Sequence, residues 1–106
     1  MAWLILFLSG LLEVVWASAM KLSEGFTRPV PSIVTGVAAF IGFWLLGVAM
    51  KQLPLGTAYA VWVGIGAVGT VAFGAIWLNE PVTPLRIGSV VLILAGIIGL
   101  RLSVSG

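Results

Sequence analysis

Apolar residues form four long runs along the chain, separated by short segments that hold most of the charges. The runs with no charged residue are 29–50, 52–79 and 87–100. A fourth run, 2–20, is interrupted only by Glu13. A bilayer-spanning helix needs about 17–25 predominantly apolar residues, and the shortest run is flanked by Arg86 and Arg101, whose side chains can extend to the headgroups. The pattern predicts an all-α membrane protein with a single four-helix domain over 1–106 and transmembrane helices at about 2–20, 32–50, 56–78 and 84–100.

The composition supports lipid rather than water as the solvent. The chain is 61% hydrophobic and 8% charged, with a mean hydropathy of +1.27, whereas soluble domains carry about 25% charged residues. Cysteine, histidine and aspartate are all absent. That absence excludes a disulfide framework, a thiolate or imidazole metal site and a Ser-His-Asp type nucleophile. We therefore expect a multi-pass protein of the cell (inner) membrane that is not an enzyme and has no metal or cofactor.

The first run has one feature of a secretory signal peptide. Ala17-Ser18-Ala19 looks like a cleavage site. However, no basic segment precedes the run, and Glu13 falls where a signal peptide is apolar. We expect this helix to remain in the mature protein.

The basic residues are divided almost evenly between the two sides of the predicted bundle. One side has Lys21, Arg28 and Arg86, and the other has Lys51, Arg101 and the terminal amine. Since the Lys/Arg bias sets orientation, the chain can insert both ways up and pair as an antiparallel homodimer, or one charge can fix a single orientation. The sequence leaves these two readings open. The basic residues are scattered singly, which does not indicate nucleic-acid binding.

Glu13 is the strongest functional candidate because a charged group at mid-membrane costs roughly 2.5–3.5 kcal/mol on insertion scales. No Lys or Arg lies near the middle of a predicted helix to neutralise it. An intramembrane acid usually marks an ion or proton pathway; the alternative is a protonated, hydrogen-bonded glutamate that only fixes packing. Helical spacing places Ser9, Gly10, Trp16, Ala17 and Met20 on its face.

Helix 3 repeats this combination of aromatic and small residues. Tyr59, Trp62, Val63 and Gly66 share one face, and the Tyr59 hydroxyl is placed to hydrogen-bond Glu13 across the site. A carboxylate beside the indoles of Trp16 and Trp62 suits a monovalent organic cation, because ion pairing and cation–π attraction add. Trp3 and Trp77 lie near helix ends and fit the interfacial belt.

Glycines in helix 3 match a dinucleotide-binding fingerprint in letters only. The segment from Gly64 through Gly66 to Gly69 lacks the strand, the βαβ unit and the downstream acid that the fingerprint needs. In a membrane helix, such glycines permit close packing and bending. Helix 4 has no internal charge and no aromatic residue. Its predicted face for packing and dimerisation contains Ser89, Leu92 and Gly96.

A mechanism follows from a single buried acid. Lipid disfavours the charged carboxylate, so protons can compete with a cationic substrate for Glu13. If only proton-loaded or substrate-loaded states change conformation, the result is antiport. In a dimer, the two Glu13 side chains would titrate as a coupled pair.

Taken together, these residues resemble the small multidrug resistance transporters over essentially the whole chain. The resemblance is carried by Glu13, by the loop sequence KLSEGFTR at 21–28 and by GTAYAVW at 56–62. It implies an antiparallel homodimer or a paired heterodimer that exchanges protons for cations on the helix 1 glutamate. The sequence EVVWA at 13–17, and Trp16 above all, resembles the guanidinium-exporter branch, as does GIIGL at 96–100.

Two positions depart from that branch. It usually has serine at the position of Gly42, where the hydroxyl helps to orient the glutamate, and a hydroxyl residue at that of Val63. We therefore expect weaker discrimination in favour of guanidinium and better tolerance of hydrophobic cations. An exporter of quaternary ammonium compounds and dyes is the main alternative. A proton-translocating rotor subunit and a purely structural membrane subunit are less well supported; the latter predicts that Glu13→Gln is harmless.

Overall fold

The computed structural model describes residues 1–104, which form four helices. Their bounds are α1 (Ala2–Leu22), α2 (Pro29–Ala49), α3 (Leu55–Trp77) and α4 (Pro84–Ser103). Each is long and apolar enough to cross a membrane. The prediction of an all-α protein with four transmembrane helices is confirmed.

The second helix begins three residues earlier than predicted, because its prolines do not break it. Pro29 and Pro31 occupy the first turn of α2, where a missing N–H costs nothing because the first backbone N–H groups of a helix have no partner inside it. Pro84 has the same place in α4, and the Thr83 hydroxyl accepts the Arg86 N–H at 3.2 Å. Proline marks helix beginnings in this chain.

A tight left-handed turn joins α1 to α2. Glu24, Gly25 and Phe26 have φ angles of 52°, 73° and 66°. The Ser23 hydroxyl holds the turn by donating to the Met20 carbonyl at 2.6 Å and accepting the Phe26 N–H at 3.0 Å. Such closure leaves only a short connection between the first two spans.

The helices form a thin slab of 44 × 34 × 17 Å. Helix α1 packs against both α2 and α3, whereas α4 packs mainly against α3 and reaches α1 near its end, where Arg101 lies over Trp3. The buried apolar cluster lies towards the start of α1 and includes Leu6, Leu46, Val61 and Trp62. No residue of α4 in the described part of the chain is buried. The fourth helix therefore keeps most of its surface available to lipid or to another protein.

Candidate cation site around Glu13

Glu13 lies in the middle of α1 and packs against the backbone of α3. Its side chain is partly buried and occupies the space where Gly66 has no side chain, so that a Cβ at Gly66 would overlap the carboxylate. Oε1 is buried and has no hydrogen-bond partner within residues 1–104. Because a buried acceptor without a partner costs free energy, this oxygen is available to a proton or to a cationic ligand.

A row of aromatic rings runs beside the glutamate. Trp16 lies 6.1 Å from Phe43, measured between ring centroids; Phe43 lies 5.7 Å from Trp62, and Trp62 lies 5.8 Å from Tyr59. The structure thus brings together the three aromatic residues that the sequence singled out.

Phe43 joins this row from α2, and the sequence reasoning missed it. Its side chain is more than half exposed, between Trp16 and Trp62. A single phenylalanine in an apolar helix carries no periodic or charge signal. Only the packing of α2 on α1 shows that it belongs to the site.

The expected hydrogen bond between Tyr59 and Glu13 is not formed. Glu13 lies against Gly66. Gly66 is seven residues after Tyr59 on α3, so the two positions are separated by roughly 10 Å along the helix axis. The Tyr59 hydroxyl makes no hydrogen bond within the described residues, and the side chain is 54% exposed. Helical spacing predicts which side chains share a face of one helix, but it does not give the depth at which a group on another helix lies.

Ser9 and Gly10, which are predicted to line the site, lie at contacts between helices. Ser9 is fully buried and donates its hydroxyl to the Gly42 carbonyl at 2.6 Å, which ties α1 to α2. A Cβ at Gly10 would lie 2.7 Å from Cγ2 of Ile65, so Gly10 permits the close approach of α1 and α3. Both residues hold the helices around Glu13 in position.

Gly42 is buried next to Trp16. A Cβ built on it would lie 3.5 Å from Cβ of Leu12 and 3.8 Å from Nε1 of Trp16, which are ordinary contact distances. Nε1 of Trp16 is itself buried without an acceptor within residues 1–104. A serine hydroxyl at this position would therefore have a donor within reach. Val63, the second departure, is partly exposed beside Trp62.

The other glycines predicted to shape α3 are packing positions. A Cβ at Gly64 would lie 2.8 Å from Cδ1 of Ile97 on α4, and a Cβ at Gly69 would overlap Val14 on α1. The helix is continuous from Leu55 to Trp77, so these glycines admit neighbours without interrupting it.

The predicted dimer face lies open on α4. Leu92 and Gly96 are exposed, and Ser89 donates its hydroxyl to the Leu85 carbonyl of its own helix at 2.8 Å. This helix presents an apolar surface of the kind that a second transmembrane helix can cover. Pairing through this face stays a prediction.

Together, the site combines one buried carboxylate oxygen with two indole N–H groups, and none of the three has a partner within residues 1–104. Aromatic faces flank them. Such a site suits a small, flat or compact cation, for which electrostatic and cation–π attraction act together.

A lone carboxylate inside a bundle of membrane-spanning helices is typical of a small membrane transporter. The family model described as "Small Multidrug Resistance protein" matches residues 1–93. The chain is 58% identical over 103 residues to a protein of Yersinia pseudotuberculosis named "Guanidinium exporter", covering 97% of this chain and 99% of that protein. Proteins with the same name from Escherichia coli K12 and Salmonella typhimurium are 53% and 55% identical over 103 residues, with 97% of this chain and 98% of each relative covered.

The chain therefore belongs to the small multidrug resistance family, and it is a multi-pass membrane protein of the cell membrane.

Proposed function

We propose that this protein is a proton-coupled antiporter that exports guanidinium and related small organic cations. The observation that carries the proposal is the Glu13 carboxylate, buried against Gly66 without a hydrogen-bond partner in the described chain and close to an aromatic row. The printed names of the relatives agree with it, since each is called a guanidinium exporter.

Guanidinium fits the site by its geometry as well as by its charge. It is planar and carries N–H donors that can face a carboxylate in pairs, and its flat face stacks on aromatic rings. Glu13 supplies the carboxylate, while Trp16, Trp62 and Tyr59 supply the rings. Related cations that keep a flat guanidinium group should bind in the same way.

Coupling to protons follows from competition for one group. A carboxyl group surrounded by lipid and protein binds a proton in place of its counter-ion when no cation is present. A state with Glu13 neither protonated nor paired would leave a bare charge in the membrane, which is costly. The protein then changes the side of the membrane to which its site opens only when Glu13 carries a proton or a cation. A cation is therefore exchanged for protons.

A second, inverted copy would complete the site. The slab is 17 Å thick, and Phe43 and Tyr59 of the aromatic row are exposed. Two such slabs facing each other would place two Glu13 side chains around one chamber, with the two α4 helices packed through Ser89, Leu92 and Gly96. The near-even division of basic residues supports insertion in both orientations.

Quaternary ammonium export is the second candidate, and Gly42 favours it. Without a hydroxyl there, Nε1 of Trp16 has no acceptor within residues 1–104, and the wall beside Glu13 is apolar on this side. Val63 adds another apolar group near Trp62. A bulkier cation without N–H donors loses less binding free energy in such an apolar site than in a site lined by hydroxyl groups.

The test is electrical current from proteoliposomes after a concentration jump of guanidinium and, separately, of a tetraalkylammonium ion. Glu13→Gln removes the charge at nearly constant shape, and Glu24→Gln, in the exposed turn after α1, is the matched control. We expect currents in the native protein and in Glu24→Gln and none in Glu13→Gln, and imposing a proton gradient alone should drive guanidinium uptake. The ratio of the two currents separates the two candidates. If currents persist in Glu13→Gln, the mechanism is wrong.

A further inference from the structure

An apolar groove opens where α4 diverges from α1 near the end of the chain. Its cavity of about 300 Å³ is lined by Phe7, Ile65, Ile98, Trp3 and Arg101, among others. We call this cavity the Arg101 groove. Arg101 is the charged residue of this lining, and it stands in the last turn of α4, so it marks the end of the groove nearest the membrane surface.

Arg101 is held over the ring of Trp3. Its guanidinium carbon lies 4.7 Å from the ring centroid, a distance typical of a cation–π contact. The contact fixes the side chain at the mouth of the groove and uses only one face of the guanidinium plane. Its N–H donors point outward in the plane and stay available to an anion.

No acidic side chain balances this charge at the same end of the bundle. Antiparallel helices bring Arg101 and Lys51 to one side, whereas Glu24 and Glu80 belong to the connections at the opposite side. Within residues 1–104 no salt bridge involves Arg101, and the ion pair that does form joins Arg86 to Glu80 at 3.5 Å.

A second apolar groove between α3 and α4 provides an internal comparison. It lies at the opposite end, has a volume of about 200 Å³ and is lined by Val68, Pro81, Ile87 and Arg86. Here the arginine at the rim is paired with Glu80. Both grooves have an apolar lining with an arginine at the rim, and within residues 1–104 a carboxylate pairs with Arg86 but not with Arg101.

We propose that the Arg101 groove is a binding site for an anionic phospholipid. The phosphodiester and the anionic headgroup lie against Arg101, while an acyl chain lies along Phe7, Ile65 and Ile98. Basic side chains near a membrane surface attract anionic lipids, and guanidinium binds phosphate oxygens in pairs. The adjacent apolar cavity adds the depth that a purely electrostatic contact lacks.

A second copy of the chain is a poorer occupant than lipid. Ile98 is nine residues from Ser89, about 180° around the helix, and Arg101 is about 140° from Gly96. The predicted dimer face and the Arg101 groove therefore lie on different sides of α4. A dimer formed through that face leaves the groove open to the bilayer, and the proposal does not depend on which cation is transported.

Trp3 provides a direct probe of occupancy. The full chain is reconstituted with phosphatidylglycerol or with phosphatidylcholine, and each lipid carries bromine on its acyl chains as a fluorescence quencher. The Trp3 signal is the fluorescence of the native protein minus that of the Trp3→Phe variant. We expect quenching of Trp3 to show about fivefold tighter binding of phosphatidylglycerol, the preference that one basic side chain produces at an anionic surface. Added salt should reduce the preference.

Two arginine variants decide whether Arg101 is responsible. Arg101→Gln should abolish the preference, Arg101→Lys should keep part of it, and Arg86→Gln should leave it unchanged. Equal quenching by both lipids in the native protein, or a preference that survives Arg101→Gln, would overturn the proposal. Absence of Trp3 quenching by either lipid would mean that protein, rather than lipid, fills the groove.

Discussion

Gly66 determines where the charged side chain of Glu13 lies, because Gly66 has no side chain of its own. The carboxylate occupies the space that any Cβ at Gly66 would need. Sequence spacing placed Gly66 on the face of α3 that bears Tyr59 and Trp62, but it could not show that Glu13 would enter this notch.

Replacing Gly66 by alanine should displace Glu13 and slow transport. Overpacking of a filled site costs about 1–3 kcal/mol, so we expect cation transport to fall by about tenfold or more, with little loss of helix content. Gly47→Ala on α2 is the control, because nothing lies within 4 Å of a Cβ there. Proteoliposome flux measures both, and equal flux in the two variants would remove Gly66 from the site.

Gly42→Ser should shift selectivity towards guanidinium. The added Cβ meets only ordinary contacts. The hydroxyl on it can accept the Nε1–H of Trp16, which fixes the indole beside Glu13. Side-chain hydrogen bonds in membranes are worth about 0.6 kcal/mol on average, so the guanidinium to tetraalkylammonium transport ratio should rise about threefold.

Gly42→Ala separates the hydroxyl from the added bulk. It should leave the transport ratio close to that of the native protein. Similar rates in the native protein and in Gly42→Ser for both substrates would contradict the role assigned to this position.

At the scale of helices, the polar contact between α1 and α2 has a clear test in Ser9→Ala. Ser9 is fully buried and bonded to the Gly42 carbonyl of the next helix. Its loss should lower the free energy of unfolding by about 0.6–1.7 kcal/mol. Ser103→Ala is the matched control, because the exposed Ser103 hydroxyl donates to the Leu100 carbonyl of its own helix and lies outside the predicted dimer face. Unfolding in mixed micelles followed by circular dichroism gives both values, and equal stabilities would show that the contact between α1 and α2 contributes nothing.

The helices themselves were predictable, and the limits of that prediction have physical causes. Long uncharged runs gave their number and centres, because lipid thickness constrains length. Their beginnings were harder to predict: the pattern places the start of the second helix at about residue 32, whereas Pro29 and Pro31 already lie in the first turn of α2. Contacts between helices, such as the one that brings Phe43 between Trp16 and Trp62, depend on how each helix is rotated about its axis and shifted along it. The hydrophobic periodicity of a single helix does not give either quantity.

For the whole molecule, we predict that copies insert in both orientations, because the basic residues are divided almost evenly between the two sides of the bundle. The sequence has no cysteine, so one cysteine introduced at Gly106 reports its side of the membrane without background labelling. We expect an impermeant reagent to label roughly half of the native copies from outside. Labelling from one side alone would favour the single-orientation reading.

Charge variants should separate the two orientations. Gln52→Lys with Ser103→Lys should bring the loop between α2 and α3 to the cytoplasm, and Lys51→Gln with Val82→Lys should do the reverse. Each variant alone should lose transport, and the two together should recover it. Gln52→Glu should change little, because acidic residues contribute weakly to orientation.

The slab is 17 Å thick in its shortest dimension, about one to two helix diameters. A second copy facing such a slab would share one chamber with it, and that sharing has a genetic consequence. If two copies share one chamber, a cell that makes native and Glu13→Gln chains in equal amounts would assemble only about one quarter of its dimers from two native copies. The defective allele would then be dominant over the native one. Selection would then act on both halves of the transporter together, since each substitution alters both halves at once.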